Sequence, residues 1–379
     1  MHVETFHFEK NTGWSVKKFP NLDSKDTLIL AFCAPEYFDN PQPFTELKEA
    51  FPNSIFAGCS TAGEIFKKSI NDHSISVAAV KFDKSRVRSA TAQVEVTSES
   101  FSAGQQLAKA LLKEDLQAIL ILSDGLVVNG STLVEGLKQH LPPHVIVTGG
   151  LAGDGSDFKK TWVLQKDVPV SHSVTAIGFY GKDLEIGYGS RGGWDIFGPE
   201  RLITRSNGNV LYEIDGQPAL ALYKKYLGDR AKELPSSGLL FPLAISEKPL
   251  NAKQVVRTIL SVDEKNQSIT FAGDIPEGWY GQLMKANFDR LIDGASKAGE
   301  LAKKQIHSPE NCLGIAISCV GRRLVLGDRT EEEVEASHDM LGENSSLIGF
   351  YSYGEISPSG LGSCDLHNQT MTLTAISEK

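Results

Sequence analysis

One order of segments recurs three times along the chain, and this repetition limits the possible folds more than any other feature. Each copy reads as a buried strand, a helix, a second strand, a glycine-rich loop with an acidic residue, and a closing strand. The two outer copies agree position for position at the loop, where residues 58–65 read GCSTAGEI and residues 349–356 read GFYSYGEI. The middle copy follows the plan more loosely, with GGLAGDG at residues 149–155. Internal duplication is the simplest explanation of the pattern.

The three copies predict the following elements: strands 27–33, 54–59 and 74–82 with a helix at 44–51; strands 118–122, 145–148 and 174–178 with a helix at 131–140; strands 313–319, 347–351 and 370–376 with a helix at 331–341. Strands outnumber helices and many are joined by short turns. We therefore expect an α+β fold of mixed or antiparallel sheets with flanking helices, built from repeated strand–helix–strand–loop–strand units. A hairpin from 80–82 into 86–96 and a long amphipathic helix at 280–305 are also predicted.

The length of 379 residues favours two domains. The glycine-rich segment 187–199 is the predicted boundary, which gives two related domains at 1–190 and 191–379.

Composition narrows the class of protein. The net charge of -9 and the scattered basic residues disfavour nucleic acid as a partner. No run of about 18 apolar residues is present, so no membrane insertion is expected. The start of the chain lacks the pattern of a signal peptide, and the five cysteines include no Cys-x-x-Cys pair. A cytoplasmic protein with reduced thiols and no zinc framework is expected.

The glycine-acid loops are the first candidate site. Glycine permits close approach of the backbone to a ligand, and each loop offers one carboxylate beside main-chain N–H groups. Glu64, Asp154 and Glu355 are therefore predicted to face a common cavity that holds an amino acid-like ligand. The predicted contacts from the same loops are Cys59, Ser60, Thr61, Gly63, Ser352, Tyr353 and Gly354. The alternative is that the carboxylates only cap neighbouring backbone in tight turns.

Cys59 could be a nucleophile if a base lay beside it, which would make the chain a cysteine-dependent hydrolase or transferase. The sequence shows no paired histidine, and Phe350 stands at the equivalent position of the third copy. A small buried cysteine that touches ligand is the preferred interpretation. We therefore predict a protein with no catalytic centre of its own.

Two histidines and one arginine complete the candidates. His367, followed by Asn368, lies near the Glu355 loop, and His338 falls on the apolar face of its helix. Either could ligate a non-covalent haem b, or could be an ordinary core histidine.

Arg257 lies within an apolar strand and could clamp a ligand carboxylate or pair with Asp263 or Asp274. Arg322 and Arg323 follow a strand and are expected to be solvated.

These motifs resemble the FIST family, whose members carry an N-terminal and a C-terminal FIST domain. The N-terminal domain is matched by AGCSTAGEI at 57–65, SDG at 123–125 and GGLAGDG at 149–155; the C-terminal one by NGNVLYEIDGQPALALYKKYLG at 207–228, FAGDIPEG at 271–278, GFYSYGEISP at 349–358 and LHNQTMTLT at 366–374. The resemblance implies a sensory protein of signal transduction that binds a small ligand such as an amino acid.

Some similar bacterial proteins bind haem, sense nitric oxide and regulate histidine kinases or cyclic-di-GMP enzymes, which is the alternative function. No kinase, cyclase, receptor segment or F-box is fused to this sequence, so a separate signalling partner is expected.

Overall fold

The computed structural model describes residues 1–249, 254–307, 311–359 and 363–379. The strands are β1 His2–Glu9, β2 Gly13–Trp14, β3 Thr27–Cys33, β4 Ile55–Ser60, β5 Glu64–Phe66, β6 Ser69–Asn71, β7 Ser74–Lys81, β8 Arg86–Gln93, β9 Leu116–Ser123, β10 Ile146–Leu151, β11 Val163–Gln165, β12 Val168–Val170, β13 Ser173–Tyr180, β14 Leu184–Arg191, β15 Asp195–Ile196, β16 Arg201–Asn207, β17 Val210–Ile214, β18 Gln217–Pro218, β19 Leu243–Ser246, β20 Val255–Arg257, β21 Ile259–Asp263, β22 Ser268–Phe271, β23 Tyr280–Lys285, β24 Leu313–Cys319, β25 Ser346–Ser352, β26 Gly354–Ser359, β27 Ser363–His367 and β28 Met371–Glu378. The helices are α1 Gln42–Ala50, α2 Ser100–Leu111, α3 Gly130–Lys138, α4 Ala219–Leu227, α5 Phe288–Lys303, α6 Val320–Leu326 and α7 Thr330–Leu341.

The α+β expectation is confirmed, and the strands and helices predicted for the three copies lie within a few residues of their predicted ends. Each copy forms the centre of one body sheet. Its first two strands run parallel, as β3 with β4, β9 with β10, and β24 with β25. Its closing strand, β7, β13 or β28, pairs antiparallel with the first strand. The continuous apolar runs of these strands are explained by burial of both faces.

The short strand after each glycine-acid loop does not stay in its own sheet. β5 of the first copy pairs with β25 of the third, and β26 of the third copy pairs with β10 of the second. The strand that follows the loop of the second copy, β11, pairs with β4 of the first. The three body sheets are thus interlocked in a cycle, which gives the body a pseudo-threefold arrangement.

The central core lies where the inner faces of the three body sheets meet. Leu30 and Phe32 of the first sheet, Leu120 of the second, and Ile317 and Phe350 of the third share one buried cluster. Helices cover the outer faces, with α2 and α3 packed beside the second sheet and α5 and α7 beside the third.

A fourth sheet is inserted into the body. It contains β15 to β23, with β19, β23, β16, β17 and β22 at its centre. The chain leaves the body after β14 and re-enters it at α5, and β14 pairs with β28 in the third body sheet. The sheets therefore form a body, to which segments before and after the insertion contribute, and an inserted sheet.

Two predicted elements were wrong. The helix at 280–305 begins only at Phe288, because β23 occupies residues 280–285 and pairs with β19 at the centre of the inserted sheet. Asn287 caps the helix by accepting a hydrogen bond from the main chain of Arg290 at 3.3 Å. The predicted hairpin between β7 and β8 does not form, since β7 belongs to the first body sheet while β8 pairs with β13 in the second.

Candidate ligand-binding site

The three glycine-acid loops meet at the pseudo-threefold axis of the body. Main-chain hydrogen bonds join them in a cycle: Ala62 N to Tyr351 O at 2.8 Å, Gly153 N to Ser60 O at 3.0 Å, and Tyr353 N to Leu151 O at 3.1 Å. The structure therefore brings the predicted loops together, but it joins them directly to one another. Of the residues in this cycle, Ala62 lines one cavity of the described chain, and Leu151 and Tyr353 line another.

Glu64 is completely buried within the body. Its carboxylate accepts hydrogen bonds from the hydroxyl of Thr61, from Ser74 N at 3.0 Å and from Ser74 Oγ at 2.8 Å. Burial raises the pKa of this carboxyl group to about 8, against the opposing effect of those hydrogen bonds. The residue ties the end of its loop to the first residue of β7.

Glu355 repeats that arrangement in the third copy. Its carboxylate accepts from Ser352 Oγ at 2.8 Å, Thr370 Oγ1 at 2.9 Å and Thr370 N at 3.1 Å. Burial raises the pKa of its carboxyl group to about 8 as well. Neither Glu64 nor Glu355 lines the large cavities of the described chain, so the geometry matches the alternative in which these carboxylates cap backbone.

The second copy differs from the other two at this position. Val163 pairs with Cys59 in the same way as Glu64 pairs with Phe350, so a buried valine replaces the carboxylate. Asp154 has a different role, since it accepts from the main-chain N–H groups of residues 158, 159 and 160 at 2.9, 2.7 and 2.7 Å. It also accepts from the hydroxyl of Tyr353. Asp154 thus fixes the loop that follows it.

That loop carries Phe158 over the ring of Tyr353. The two rings are stacked, with centroids 4.6 Å apart and an angle of 14° between their planes. Phe158 is 49% exposed and has a φ of 51°, a left-handed conformation that few residues with a bulky side chain adopt. Asp154 holds this strained turn in place, and the aromatic pair forms one wall of a cavity.

The cavity has a volume of about 540 Å³ and lies between the body and the inserted sheet. From the body it is lined by the segment 125–130, which follows β9, by the segment 319–321, which follows β24, and by Tyr353. From the inserted sheet it is lined by segments 258–260 and 271–273. It therefore lies at the carboxyl ends of strands, the edge at which ligands bind in many open α/β sheets.

The lining is predominantly apolar, and no charged side chain is present among the described residues that form it. Thr258 is 4% exposed, and its Oγ1 has no hydrogen-bond partner in the described part of the chain. Cys319 offers a thiol, whose pKa burial raises to about 12, so that it is neutral. The cavity therefore fits an uncharged and largely apolar molecule that carries a hydrogen-bonding group for Thr258.

The remaining loop candidates lie away from this cavity. Cys59 is fully buried, and burial raises its pKa well above the ordinary thiol value, which keeps it protonated and unreactive. Ser60 Oγ accepts from Trp162 N at 3.1 Å. Gly63 adopts a φ of 129°, where a Cβ would collide with the guanidinium of Arg323. At Gly354, a Cβ would come within 2.9 Å of the side chain of Leu366.

The histidine candidates do not fit a haem. His367 is 7% exposed, its Nε2 lies 3.1 Å from Ser357 O, and it lines none of the large cavities described above. Asn368 beside it is fully buried, with its Oδ1 unpaired in the described chain. His338 is buried on α7 against a polar groove that Lys67, Lys68 and Glu343 line. The apolar cavity contains no histidine among its described residues, so its lining offers no imidazole for a haem iron.

Two arginines differ from expectation. Arg322 was predicted to be solvated, which is wrong: it is 0% exposed, and its Nη2 lies 2.7 Å from Oε2 of the equally buried Glu333. It also donates to Gly192 O and, at 2.8 Å, to Leu291 O. Arg322 therefore fastens both chain segments that connect the body to the inserted sheet. Arg323, 25% exposed, pairs instead with Asp72 at 2.7 Å.

Arg257 is buried but forms neither of the predicted ion pairs. Its Nε donates to the main-chain oxygen of Asp274 at 3.0 Å, and its Nη1 donates to Leu366 O at 3.0 Å. Arg257 lines a second cavity, separate from the apolar one, and no ion pair of at most 4.0 Å joins it to a carboxylate in the described chain.

Comparison with known proteins places this arrangement in a class of sensory proteins. Residues 27–217 match the FIST N domain, and residues 219–358 match the FIST C domain. The chain belongs to the FIST family, whose domains are ligand-binding, sensory domains of signal transduction.

An uncharacterized protein of Methanocaldococcus jannaschii is 24% identical over 341 residues, which are 83% of this chain. The match spans 62% of that relative's length.

Among solved structures, cyanuric acid hydrolase from A. caulinodans aligns with 78% of this chain and 99% of its own. The sequence identity is 11% and the TM-score 0.19, too low to support an argument about fold or activity. In the described part of this chain, none of the helices combines the length and the apolar character that crossing a membrane requires.

Of the predicted contact residues, Tyr353 lines the apolar cavity, but sequence reasoning missed the rest of the lining, above all Thr258, Phe158 and the segment 319–321. A signal was present for one of them, since Thr258 interrupts the apolar run VVRTIL beside Arg257. The cavity itself depends on the inserted sheet facing the body, and no local pattern encodes that contact.

Proposed function

We propose that this protein is a sensor whose ligand is an uncharged, largely apolar small molecule bound between the body and the inserted sheet. The observation that carries the proposal is the cavity of about 540 Å³, which has apolar walls from both parts of the chain and, at Thr258, a buried hydroxyl without a hydrogen-bond partner among the described residues. Cavities of about 300–1,000 Å³ with a few placed polar groups are typical of small-molecule sites.

The ligand chemistry follows from the lining. A free amino acid carries two charges, and neither finds an opposite charge among the described lining residues. A neutral ring or alkyl chain would bury its surface against Leu239, Ile259 and Phe271, and one hydrogen-bonding group would pair with Thr258 Oγ1. A neutral ligand therefore fits the described lining better than the amino acid-like ligand that the sequence predicts.

Signalling requires that the ligand favour one conformation over another. A molecule in this cavity contacts the loops of the body and the inserted sheet together, so it stabilises the arrangement in which the two are in contact. A separate signalling protein that recognises this arrangement would receive the output.

The first test blocks the cavity. Leu260 lines it and is 43% exposed, so a Leu260→Trp variant should place an indole in the space without disturbing the core. The matched control is Leu202→Trp, which changes a leucine of the same sheet that is 37% exposed and does not line the cavity. Melting temperatures are measured with a panel of neutral aromatic and aliphatic compounds and with a panel of free amino acids.

We expect neutral compounds to raise the melting temperature of the natural chain and of Leu202→Trp, and to leave Leu260→Trp unchanged. Stabilisation by amino acids alone, equal in all three proteins, would contradict the proposed site and ligand class.

The second test removes the hydroxyl. A Thr258→Val variant keeps the shape of the side chain and deletes a buried polar atom that has no hydrogen-bond partner in the described part of the chain. The free protein should therefore be as stable as before or slightly more so. Affinity for a compound found in the first test should fall by about fivefold to tenfold, since a hydrogen bond contributes roughly 1 kcal/mol. Unchanged affinity, measured by calorimetry, would remove Thr258 from the site.

A further inference from the structure

The second cavity of the molecule has a volume of about 560 Å³ and a different chemistry from the first. Its walls come from α3, from β19 and β20 of the inserted sheet, and from the turn that contains Asp274 and Trp279. Arg257 lies in its lining and is 7% exposed. The adjacent residue Thr258 lines the apolar cavity, so two neighbouring side chains face two different spaces.

Arg257 is a buried cation, and no carboxylate oxygen of the described residues forms an ion pair with it within 4.0 Å. In the described part of the chain its guanidinium donates to main-chain oxygens, those of Val256, Asp274 and Leu366. The side chains of Asp274 and Asp365 act on it only at longer range, and burial lowers its pKa to about 10. Gly273 gives the guanidinium room, because a Cβ there would come within 2.8 Å of Nε. A buried guanidinium in this condition is stabilised by a carboxylate that accepts from it.

Three of the other charged groups around the cavity lie at its mouth, while Asp274 and Asp365 are half-buried in its lining. Glu135, Glu247 and Lys248 are exposed, and Lys138 is paired with Asp365 at 3.1 Å. The mouth carries charges of both signs. Its two glutamates, Glu135 and Glu247, would repel a ligand with several negative charges. Exposed charges of this kind are screened by water, which leaves Arg257 as the deepest charge.

A second polar group faces the same cavity without a partner. Ser131 belongs to α3, and its buried Oγ has no hydrogen-bond partner in the described chain. Apolar surface for the rest of a ligand is available from Val255, Ile245 and Trp279.

We infer that this cavity is a binding site for a small monocarboxylate, whose carboxylate accepts hydrogen bonds from Arg257 and Ser131 and whose body packs against Trp279. The site is distinct from the apolar cavity and does not depend on the function proposed for it.

Calorimetric titration of the full chain tests the inference with acetate, phenylacetate, phenylacetamide and inorganic phosphate. Phenylacetamide is the neutral match of phenylacetate, and we expect it to bind at least about tenfold more weakly. Phosphate should bind more weakly than phenylacetate because of the acidic mouth. Because a neutral amide also belongs to the ligand class proposed for the apolar cavity, the two compounds are compared in the Leu260→Trp variant, in which that cavity is filled. Absence of binding by both carboxylates up to about 10 mM, or equal affinity for the amide in that variant, would overturn the inference.

Variants assign the binding to the cavity. Arg257→Lys keeps the charge but removes the planar pair of donors, and should weaken phenylacetate by about tenfold. Ser131→Ala alters a group with no partner in the described chain, so it should fold normally and weaken binding about threefold to tenfold.

Arg205→Lys is the matched control, since Arg205 lies on the inserted sheet, pairs with Glu213 at 2.9 Å and does not line this cavity. If Ser131→Ala and Arg257→Lys both bind phenylacetate as the natural chain does, the site is elsewhere. Leu260 lines the apolar cavity and not this one, so Leu260→Trp should leave phenylacetate binding unchanged. A failure of the monocarboxylate site can therefore be distinguished from a failure of the proposed function.

Discussion

The closed axis of the body and the cavity beside the inserted sheet are both formed by loops of the same repeats, but they treat polar groups in opposite ways. At the axis, the carboxylates of Glu64 and Glu355 accept three hydrogen bonds each, and the loops bind one another through main chain. At the cavity, Thr258 Oγ1 is buried and has no hydrogen-bond partner among the residues that the structure describes. The difference teaches that the repeated acidic loops hold the sheets together, whereas the cavity proposed as the ligand site lies where an insertion interrupts the repeat.

The largest expected effect concerns the junction between the two regions. Replacing Arg322 by leucine leaves Glu333 buried without its cation and frees the main-chain oxygens of Gly192 and Leu291. The free energy of unfolding should fall by about 3–5 kcal/mol, the usual loss when one member of a buried pair is removed. Urea denaturation measures it.

Arg323→Leu is the control, because this neighbouring arginine is partly exposed and pairs with the exposed Asp72. Its loss should be about 1 kcal/mol or less. Equal losses in the two variants would show that Arg322 is not the fastening residue.

The second prediction concerns pH and the two carboxyl groups at the axis. A carboxyl group whose pKa is raised by folding keeps its proton in the folded chain at pH values where the unfolded chain has lost it. With ordinary values of 4.5 and folded values of about 8 for Glu64 and Glu355, the free energy of unfolding should fall as pH rises between these limits. The slope is at most about 1.4 kcal/mol per pH unit for each group.

The double variant Glu64→Gln, Glu355→Gln tests this prediction. It cannot ionise at these positions, so its stability should vary less between pH 5 and pH 8 and should exceed that of the natural chain at the upper limit. Pairing with Glu36 raises the pKa of His73 above its ordinary value of 6.5. This pair therefore adds its own fall in the free energy of unfolding as the pH rises, and the fall is the same in the natural chain and in the variant. Identical pH profiles for the natural chain and the variant would contradict the assignment.

A smaller effect is expected at the aromatic wall of the cavity. Tyr353→Phe removes the hydroxyl that donates to Asp154, while three main-chain N–H groups still satisfy that carboxylate. The free energy of unfolding should fall by about 0.5–1.5 kcal/mol. Hydrogen exchange of residues 157–160 should become faster, because the loop under Phe158 loses one attachment.

Much of the body could be predicted from sequence because its strands are continuous apolar runs. Residues 27–33 and 313–319 read TLILAFC and LGIAISC, and both are strands with the predicted ends. Partner choice could not be predicted, because β7 and β8 follow each other closely yet join different sheets. A hydrophobic pattern specifies which face of a strand is buried, but not which strand lies beside it.

The site was harder to predict for a related reason. Glu64 and Glu355 match in sequence because both perform one structural task, and a lone sequence does not separate that cause from ligand binding. The burial of Arg322 depends on Glu333, which lies in the following helix, so an arginine directly after a strand looked solvated. The apolar spacing at 280–305 predicted a single helix. Asn287, a residue type that favours the N-cap position, marks the place where α5 begins in the structure.

Hydrogen–deuterium exchange with and without a stabilising neutral compound tests the central claim most directly. The account predicts that the compound slows exchange in residues 125–130, 258–260 and 319–321, the three segments that face one another across the cavity. The loops of Glu64 and Glu355 should be unchanged, because their main chain is already bonded around the axis. Protection confined to those two loops would instead show that the ligand binds at the axis, and would contradict the account.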